Sequence, residues 1–173
     1  MGKLNLYTAV PISRLRSIRK HGLVPNNRLA EILNIEEIYH PDGLYLKGRV
    51  FEESPFGYIF GSKSLPSVIE WSGLIQMMVG EFCSILSYEI DEELIELDMS
   101  SSNKDLNDYR FKETIKPEDL SFVVGTLTST PEKNVLEVEE KSFNSFFEAV
   151  ADYSYEEQDG FMQRLLPIKV NLL

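Results

Sequence analysis

Several strand-like segments follow one another in this chain without a helix-like segment between them. Residues 82–90, 108–112 and 120–128 are rich in β-branched and aromatic residues, and polar or turn-forming stretches separate them. Parallel neighbours need a crossover connection, usually a helix, so these strands cannot all be parallel. Helix-like segments precede and follow them. We therefore predict an α+β fold with a mixed or antiparallel sheet and flanking helices.

The N-terminal elements are predicted from local patterns. Alternating residues predict a strand over 3–9, and apolar residues at every third position predict a helix over 12–21. A short helix is predicted over 29–38. Ser64, followed by a proline in the first turn, predicts a long helix to about residue 79, and the wide apolar stripe of this helix predicts that it is well buried.

The C-terminal elements are predicted in the same way. Ser142 is expected to cap an amphipathic helix that carries three phenylalanines. The stretch "EEQDG" is expected to break the chain before a last strand over 161–172. A length of 173 residues is most simply one domain, so we predict a single domain over 1–173.

Charge is distributed unevenly along the chain, although the net charge is -11. Residues 1–80 carry 9 basic and 7 acidic side chains, whereas residues 81–173 carry 8 basic and 21 acidic ones. The first 28 positions hold six basic residues and no acidic one. An acidic C-terminal half repels phosphate backbones, so duplex nucleic acid is not expected as a partner.

The composition also narrows the setting and the chemistry. The only cysteine, Cys83, lies in an apolar run and is expected to be buried. The only histidines, His21 and His40, have no cysteine or histidine at ligand spacing, so no metal site is expected. No stretch approaches the roughly 20 apolar residues of a membrane helix, and the N-terminus does not resemble a signal peptide. We therefore expect a cytoplasmic protein without a membrane partner.

Three segments, taken in order, carry a resemblance to a known family. They are "LYTAVPISRLRSIRKHGLVP" at 6–25, "DGLYL" at 42–46 and "NDYRFKETIKPEDLSFVV" at 107–124. Together they resemble ADP-ribosyltransferase-like domains, which begin with a strand, a Leu-x-x-Ile helix and a Gly-Leu-x-Pro exit. The resemblance implies an ADP-ribosyltransferase-like split sheet over about 4–130, with a helix–strand extension over 131–173.

The resemblance implies NAD as the cofactor and a set of catalytic positions. Asp108 stands where the family usually has a glutamate that stabilises the positive charge developing on the ribose. Glu113 is the alternative position for this carboxylate. Tyr45 corresponds to a tyrosine that stacks on nicotinamide, since an aromatic face can pack on a flat cationic ring.

The same resemblance implies cofactor-binding positions in the first strand and helix. Tyr7 and Thr8 stand in the place of a Tyr-His-like pair, and Thr8 replaces the usual histidine or arginine with a shorter, neutral hydroxyl. Arg14 is the candidate contact for the pyrophosphate. Tyr45 completes the predicted cofactor-binding set.

Three functions are compatible with these residues. The first is an NAD-dependent mono-ADP-ribosyltransferase that modifies a protein or small-molecule target. The second, motivated by Thr8 and Asp108, is a catalytically degenerate, acidic binding protein that inhibits a partner, for example by imitating nucleic acid. The third is an RNA 2′-phosphotransferase, for which Arg14, Arg16, Arg49 and Arg110 are the candidate phosphate contacts.

Overall fold

The computed structural model describes residues 2–25, 28, 37–40, 43–46, 57–98, 107–129, 134–163 and 168–172. Within these residues the strands are Lys3–Pro11 (β1), Glu37–His40 (β2), Gly43–Leu46 (β3), Ile59–Ser62 (β4), Cys83–Asp91 (β5), Glu96–Leu97 (β6), Asp108–Phe111 (β7), Ser121–Ser129 (β8), Asn134–Ser142 (β9) and Ile168–Leu172 (β10). The α-helices are Leu15–His21 (α1), Leu65–Val79 (α2), Phe143–Ala149 (α3) and Tyr155–Gln163 (α4).

Eight of these strands form one sheet in the order β10-β8-β5-β1-β4-β7-β6, with β9 paired to β8 as well. Because β9 pairs with β8 along its whole length, β5 and β10 share the other edge of β8. Among the described strands, only the β8–β10 pairing is parallel. Strands β2 and β3 form a separate two-stranded sheet. This mixture of helices and a mainly antiparallel sheet agrees with the α+β prediction.

The main hydrophobic core lies on one face of the sheet, under α1, α3 and α4. Phe122 of β8 is at its centre, with its ring stacked on Phe143 at 5.0 Å and edge-on to Phe146 at 5.3 Å. Fully burying a phenylalanine contributes about 1.5–3 kcal/mol. The cluster joins buried residues of the sheet and the three helices: Leu6, Leu86, Phe111, Phe122, Leu15, Ile18, Phe143, Phe147 and Met162.

Helix α2 covers the opposite face of the sheet. Val68 of α2 packs with Ile85 and Val123, and Tyr7 and Ala9 lie against this second cluster. Side chains alternate along a strand, so β1 sends its even-numbered residues to the main core and its odd-numbered residues towards α2. This alternation decides which of the predicted site residues can meet.

The ends of α2 are set by local signals, as the sequence predicts. The Ser64 hydroxyl accepts a hydrogen bond from the Ser67 N–H at 3.3 Å, and Gly80 ends the helix with a positive φ of 75°. The prediction that the helix is well buried is wrong for its outer side. Leu74 is 47% exposed and Met77 is 83% exposed, because α2 packs on the sheet along one side only.

The predictions for the first strand and the first helix are confirmed with small changes in their bounds, whereas the next predicted helix is wrong in part. The strand predicted over 3–9 continues to Pro11, and the helix predicted over 12–21 begins with a 3₁₀ turn at Ile12–Arg14. The helix predicted over 29–38 is wrong at its end, because Glu37–His40 is a strand that pairs with β3. Residues 29–36 lie outside the described part of the chain.

Two C-terminal elements differ from the sequence prediction. Strand β9 occupies a stretch in which charges interrupt a short apolar alternation, and the sequence pattern does not predict it. Helix α4 runs through "EEQDG", so the predicted break there is wrong. Ser154 and Glu157 form a capping box that starts this helix: the Ser154 N–H donates to the Glu157 carboxylate at 2.9 Å, and the Glu157 N–H donates to the Ser154 hydroxyl at 3.3 Å. The last strand is shorter than predicted, at Ile168–Leu172.

Candidate functional site

A row of polar residues crosses the centre of the sheet on the face covered by α2. Ser87 of β5 is opposite Tyr7 of β1, Tyr7 is opposite Ser62 of β4, and Ser62 is opposite Asp108 of β7. Residues directly opposite one another in antiparallel strands point to the same face of the sheet. Tyr7 and Asp108, two of the predicted site residues, therefore share one face, with Ser62 between their strands.

Asp108 is held in place where β4 leads into α2. It is 3% exposed, and its backbone carbonyl accepts a hydrogen bond from the Asp98 N–H at 2.9 Å. Its cross-strand neighbour Ser62 donates a hydroxyl hydrogen bond to the Asn107 carbonyl at 3.2 Å and accepts one from the Ser64 N–H at 3.1 Å. These bonds fix the backbone around a buried carboxylate beside the N-terminus of α2.

Thr8 lies on the other face of the sheet. It follows Tyr7 in a regular strand, and its neighbours Leu6 and Val10 belong to the main core. Thr8 itself is 8% exposed. The sheet thus separates Thr8 from Asp108, and these two residues of the predicted site do not face a common cleft.

Tyr7 is half-buried against the cluster formed with α2. Its hydroxyl accepts a hydrogen bond from the Asn5 side-chain amide at 3.3 Å. The ring packs beside Ile85 and Val123. Tyr7 is thus partly accessible on the face that carries Asp108, but much of its ring surface serves packing.

Tyr45 lies in β3, opposite Ile38 of β2. This small sheet is separate from the sheet that carries Tyr7 and Asp108, and β2 runs close to α2. The structure describes the backbone of β3, so the contacts of the Tyr45 ring remain a prediction.

Glu113 lies beyond the far end of β7 from Asp108. It is exposed in the bend between Phe111 and Ile115, and its carboxylate accepts a hydrogen bond from the Lys112 N–H at 3.2 Å. The two carboxylates are therefore at opposite ends of one short strand, and Glu113 does not join the polar row.

Arg14 lies just beyond the C-terminal end of β1, in the 3₁₀ turn that precedes α1. At about 3.3 Å per residue, the end of β1 is roughly 13 Å from Tyr7. Arg14 is half-buried, and burial lowers its pKa, while the nearby Glu81 carboxylate opposes this change. The Ser13 hydroxyl also donates to Glu81, at 2.6 Å. Arg14 thus belongs to a local cluster remote from Asp108.

Cys83 is next to this cluster and is buried as predicted, at 3% exposure. Burial, together with the negative charge of Glu81, raises the pKa of the Cys83 thiol to about 12. A thiol with that pKa is protonated at neutral pH and is a poor nucleophile.

Two of the arginines predicted for the phosphotransferase, Arg16 and Arg110, are engaged in other contacts. Arg16 donates to Asp159 at 2.6 Å and lies over the Tyr155 ring at 4.4 Å, so it fastens α1 to α4. Arg110 contacts Glu96 at 3.1 Å and the Tyr58 ring at 4.5 Å. Arg49 lies outside the described residues.

An open groove of about 370 Å³ lies near the Ser87 end of the polar row. We call it the acidic groove, and it is lined by Lys3, Glu89, Glu118, Asp119 and Ser121. Ser121 is directly opposite Ser87, so the groove continues the row across β5 and β8. The Lys3 Nζ lies 3.9 Å from a carboxylate oxygen of Glu89. The single lysine of the groove therefore pairs with Glu89, and the carboxylates of Glu118 and Asp119 are in excess. Sequence reasoning missed this groove, although the excess of acidic residues after position 80 was its signal.

Comparison of the chain with protein-family models, with curated proteins and with solved structures found no match in any of the three. Within the described residues, no three or more His, Cys, Asp or Glu side chains are grouped in a way that could hold a metal ion. None of the described helices is long and apolar enough to cross a membrane.

Proposed function

We propose that this protein is a catalytically degenerate member of the ADP-ribosyltransferase-like fold that binds and inhibits a basic partner protein, imitating the negative charge of nucleic acid. The observation that carries the proposal is the acidic groove, where carboxylates outnumber the single lysine three to one. Glu140 of β9 is exposed and lies opposite Val123, on the same face of the sheet as the groove, so it extends this acidic surface towards the edge of the sheet.

Electrostatics favour a basic protein over a dinucleotide at this surface. The carboxylates of the acidic groove would repel the pyrophosphate of NAD, and the net charge of -11 adds a long-range field of the same sign. A surface of one charge attracts an oppositely charged partner and raises its association rate. Each exposed ion pair adds only about 0.2–1 kcal/mol, so several must act together.

The arrangement of the predicted NAD site supports the same conclusion. Thr8 and Asp108 face opposite sides of the sheet, and Arg14 lies in a cluster at the far end of β1. As a set, these residues do not fit NAD. Asp108, buried and one methylene shorter than the family's glutamate, is then a structural residue beside the start of α2.

The experiment is affinity capture from a host extract by the immobilised protein, followed by elution with increasing salt. We expect a basic protein to be retained at low ionic strength and released at high salt, because screening weakens contacts between exposed charges. Purified partner should then lose its own binding to a polyanion when this protein is added. A partner released only by denaturant, or one that is acidic, would contradict the proposal.

A matched pair of variants tests the surface. Glu89→Gln, Glu118→Gln and Asp119→Asn together neutralise the acidic groove. The control variant neutralises three exposed glutamates elsewhere on the chain: Glu93, Glu148 and Glu156. Both variants change the net charge by the same amount. Equal weakening in the two would indicate a general charge effect without a defined surface.

NAD-dependent mono-ADP-ribosylation is the second candidate function. One observation favours it: Tyr7 and Asp108 share a face of the sheet beside the N-terminus of α2. This candidate relies on Tyr7, Tyr45 and Asp108, since Thr8 and Arg14 lie elsewhere.

Thermal unfolding in excess NAD tests the second candidate. At a concentration of 100 times Kd, a ligand stabilises the native state by about 2.7 kcal/mol, which raises Tm by roughly 5–10 °C in a chain of this size. Tyr45→Ala should abolish the shift, whereas Tyr155→Ala, at a residue that is 72% exposed, should keep it. No shift in the unmodified protein excludes this candidate.

A further inference from the structure

Strand β9 forms one long edge of the main sheet. It pairs with β8 from Ser121 opposite Ser142 to Ser129 opposite Asn134. No other described strand pairs with the outer edge of β9. In an antiparallel pair, alternate residues direct their N–H and C=O groups towards the partner, and the residues between them direct theirs away. Over nine residues β9 therefore presents a ladder of outward backbone groups.

The side chains of β9 leave this edge accessible. All residues from Glu137 to Ser142 are exposed, on both faces of the strand. Val138 is 46% exposed, so a large apolar side chain lies uncovered in the middle of the strand. An approaching strand would meet no covering helix or loop among the described residues.

The charges of β9 select what can approach. Glu137 and Glu139 lie on one face with Lys141, and Glu140 lies on the other face with Val138. Lys141 contacts Glu139 at 3.7 Å and offsets one of the three negative charges. Opposite charges across a strand pair are stabilising, whereas like charges are destabilising.

A second copy of this chain is a poor occupant of the edge. Parallel pairing in register would set each glutamate of β9 against the same glutamate of the other copy, and antiparallel pairing about Val138 would set Glu137 against Glu139. Charged residues at an edge strand commonly prevent association of identical chains. The same charges attract an extended segment that carries lysine or arginine.

We propose that the outer edge of β9 binds an extended, basic segment of the partner protein as an added β-strand. This inference rests on the proposed inhibition of a basic partner and names the surface and the chemistry of the segment. Backbone hydrogen bonds supply the affinity of such strand addition, and alternate side chains supply its specificity. Lysine or arginine at alternate positions would face Glu137 and Glu139.

Hydrogen exchange of the whole protein with a defined probe tests this inference. The probe is a short peptide of alternating lysine and valine with blocked ends, long enough to span β9, and a peptide of alternating glutamate and valine is the control. We expect every second amide of β9 to exchange fast without the peptide and to become protected when the basic peptide is added. Protection of none of these amides, or protection by the acidic peptide, would overturn the proposal.

Variants separate strand addition from general attraction. Glu137→Gln, Glu139→Gln and Glu140→Gln together should weaken peptide binding about three- to tenfold, because the cross-strand charge pairs at Glu137 and Glu139 are lost, while Glu140 lies on the other face, opposite the valines of the probe. The control is the triple variant at Glu93, Glu148 and Glu156, which changes the net charge equally. Equal weakening in both variants would refute a specific edge site.

The outcomes also distinguish this inference from the proposed function. If the glutamine variant of β9 captures the basic partner as well as the unmodified protein does, the edge inference fails and the proposed function stands. If no partner is captured but the peptide protects alternate β9 amides, the edge binds basic strands and the proposed function fails. Dimerisation of the protein in solution with protection of β9 would identify a second copy as the occupant and overturn the proposal.

Discussion

Gly61 of β4 lies close to the hydroxyl of Tyr88, and this contact makes a sharp prediction about stability. A Cβ atom added at Gly61 would overlap the Tyr88 hydroxyl oxygen. The next contacts, with the Leu6 Cβ and the Tyr7 carbonyl oxygen, would both be 3.3 Å. Tyr88 is 2% exposed, so its ring is enclosed by the main core. Gly61→Ala should therefore overpack the main core.

The size of the effect follows from two opposing contributions. Overpacking a well-packed core typically costs about 1–3 kcal/mol. Replacing glycine in a strand normally returns about 0.5–1 kcal/mol through the reduced entropy of the unfolded chain. We expect Gly61→Ala to lower the free energy of unfolding by about 1–2 kcal/mol.

Tyr88→Phe should behave differently. The Tyr88 hydroxyl has no hydrogen-bond partner among the described residues, and burial raises its pKa far above the ordinary value. A buried polar group without a partner costs about 1–3 kcal/mol. Its removal should leave stability unchanged or raise it by up to about 1 kcal/mol. In the double variant it also removes the oxygen that the new methyl group at position 61 would meet, so the cost of Gly61→Ala should fall towards zero.

Urea unfolding of the four proteins at 25 °C measures this coupling. The midpoints should shift while the m value stays constant, since the surface exposed on unfolding does not change. The double-mutant cycle should give a coupling energy of about 1–2 kcal/mol. The reasoning is refuted if Gly61→Ala costs the same in both backgrounds, or if Tyr88→Phe alone destabilises the protein by more than about 1 kcal/mol.

Three further measurements test other features. Gly22 has φ of +80°, and a Cβ there would lie 2.5 Å from the Ile115 carbonyl oxygen. Gly22→Ala should therefore lower the free energy of unfolding by about 2 kcal/mol or more, measured by urea unfolding. An unchanged urea midpoint would contradict this prediction. Cys83 should resist a thiol reagent at a mildly alkaline pH in the native state and react on unfolding, and fast native reaction would contradict its burial. Hydrogen bonds from Ser154 lower the pKa of Glu157. The ionised Glu157 therefore stabilises α4 at pH values above the ordinary pKa of a glutamate, and this stabilisation is lost as the pH falls through the lowered pKa. Glu157→Gln should flatten this acid dependence in a circular-dichroism titration, and an unaltered profile would count against the capping box.

Local signals make parts of the fold predictable. The start of α2 is determined by Ser64 and its end by Gly80, and both act within one turn of the helix. The strands over 82–90 and 120–128 are predictable because their apolar residues are numerous. The start of α4 carries an equally local signal in Ser154 and Glu157, but the glycine that follows favours a break and hides it.

The rest depends on contacts between distant segments. Strand β9 alternates only briefly between apolar and charged residues, and its pairing with β8 supplies what the pattern lacks. Whether Thr8 or Tyr7 faces Asp108 depends on the register of β1 with β4 and of β4 with β7. A shift of one residue in either pairing would reverse the answer. No single segment contains that information, so the sequence predicts candidate site residues but not which face of the sheet each of them occupies.

The central position of β1 has a consequence for how the chain is made. Its main partner is β5, with Pro11 opposite Cys83 and Lys3 opposite Asp91. At about 5–20 residues per second, a ribosome needs on the order of 10 seconds to deliver that partner after β1 is complete. During this interval β1 has no β5 to pair with, and its apolar residues are not yet buried. We expect the four basic residues that follow β1, at positions 14, 16, 19 and 20, to oppose aggregation of this unpaired strand, because charged residues that flank an apolar strand disfavour its association with other chains.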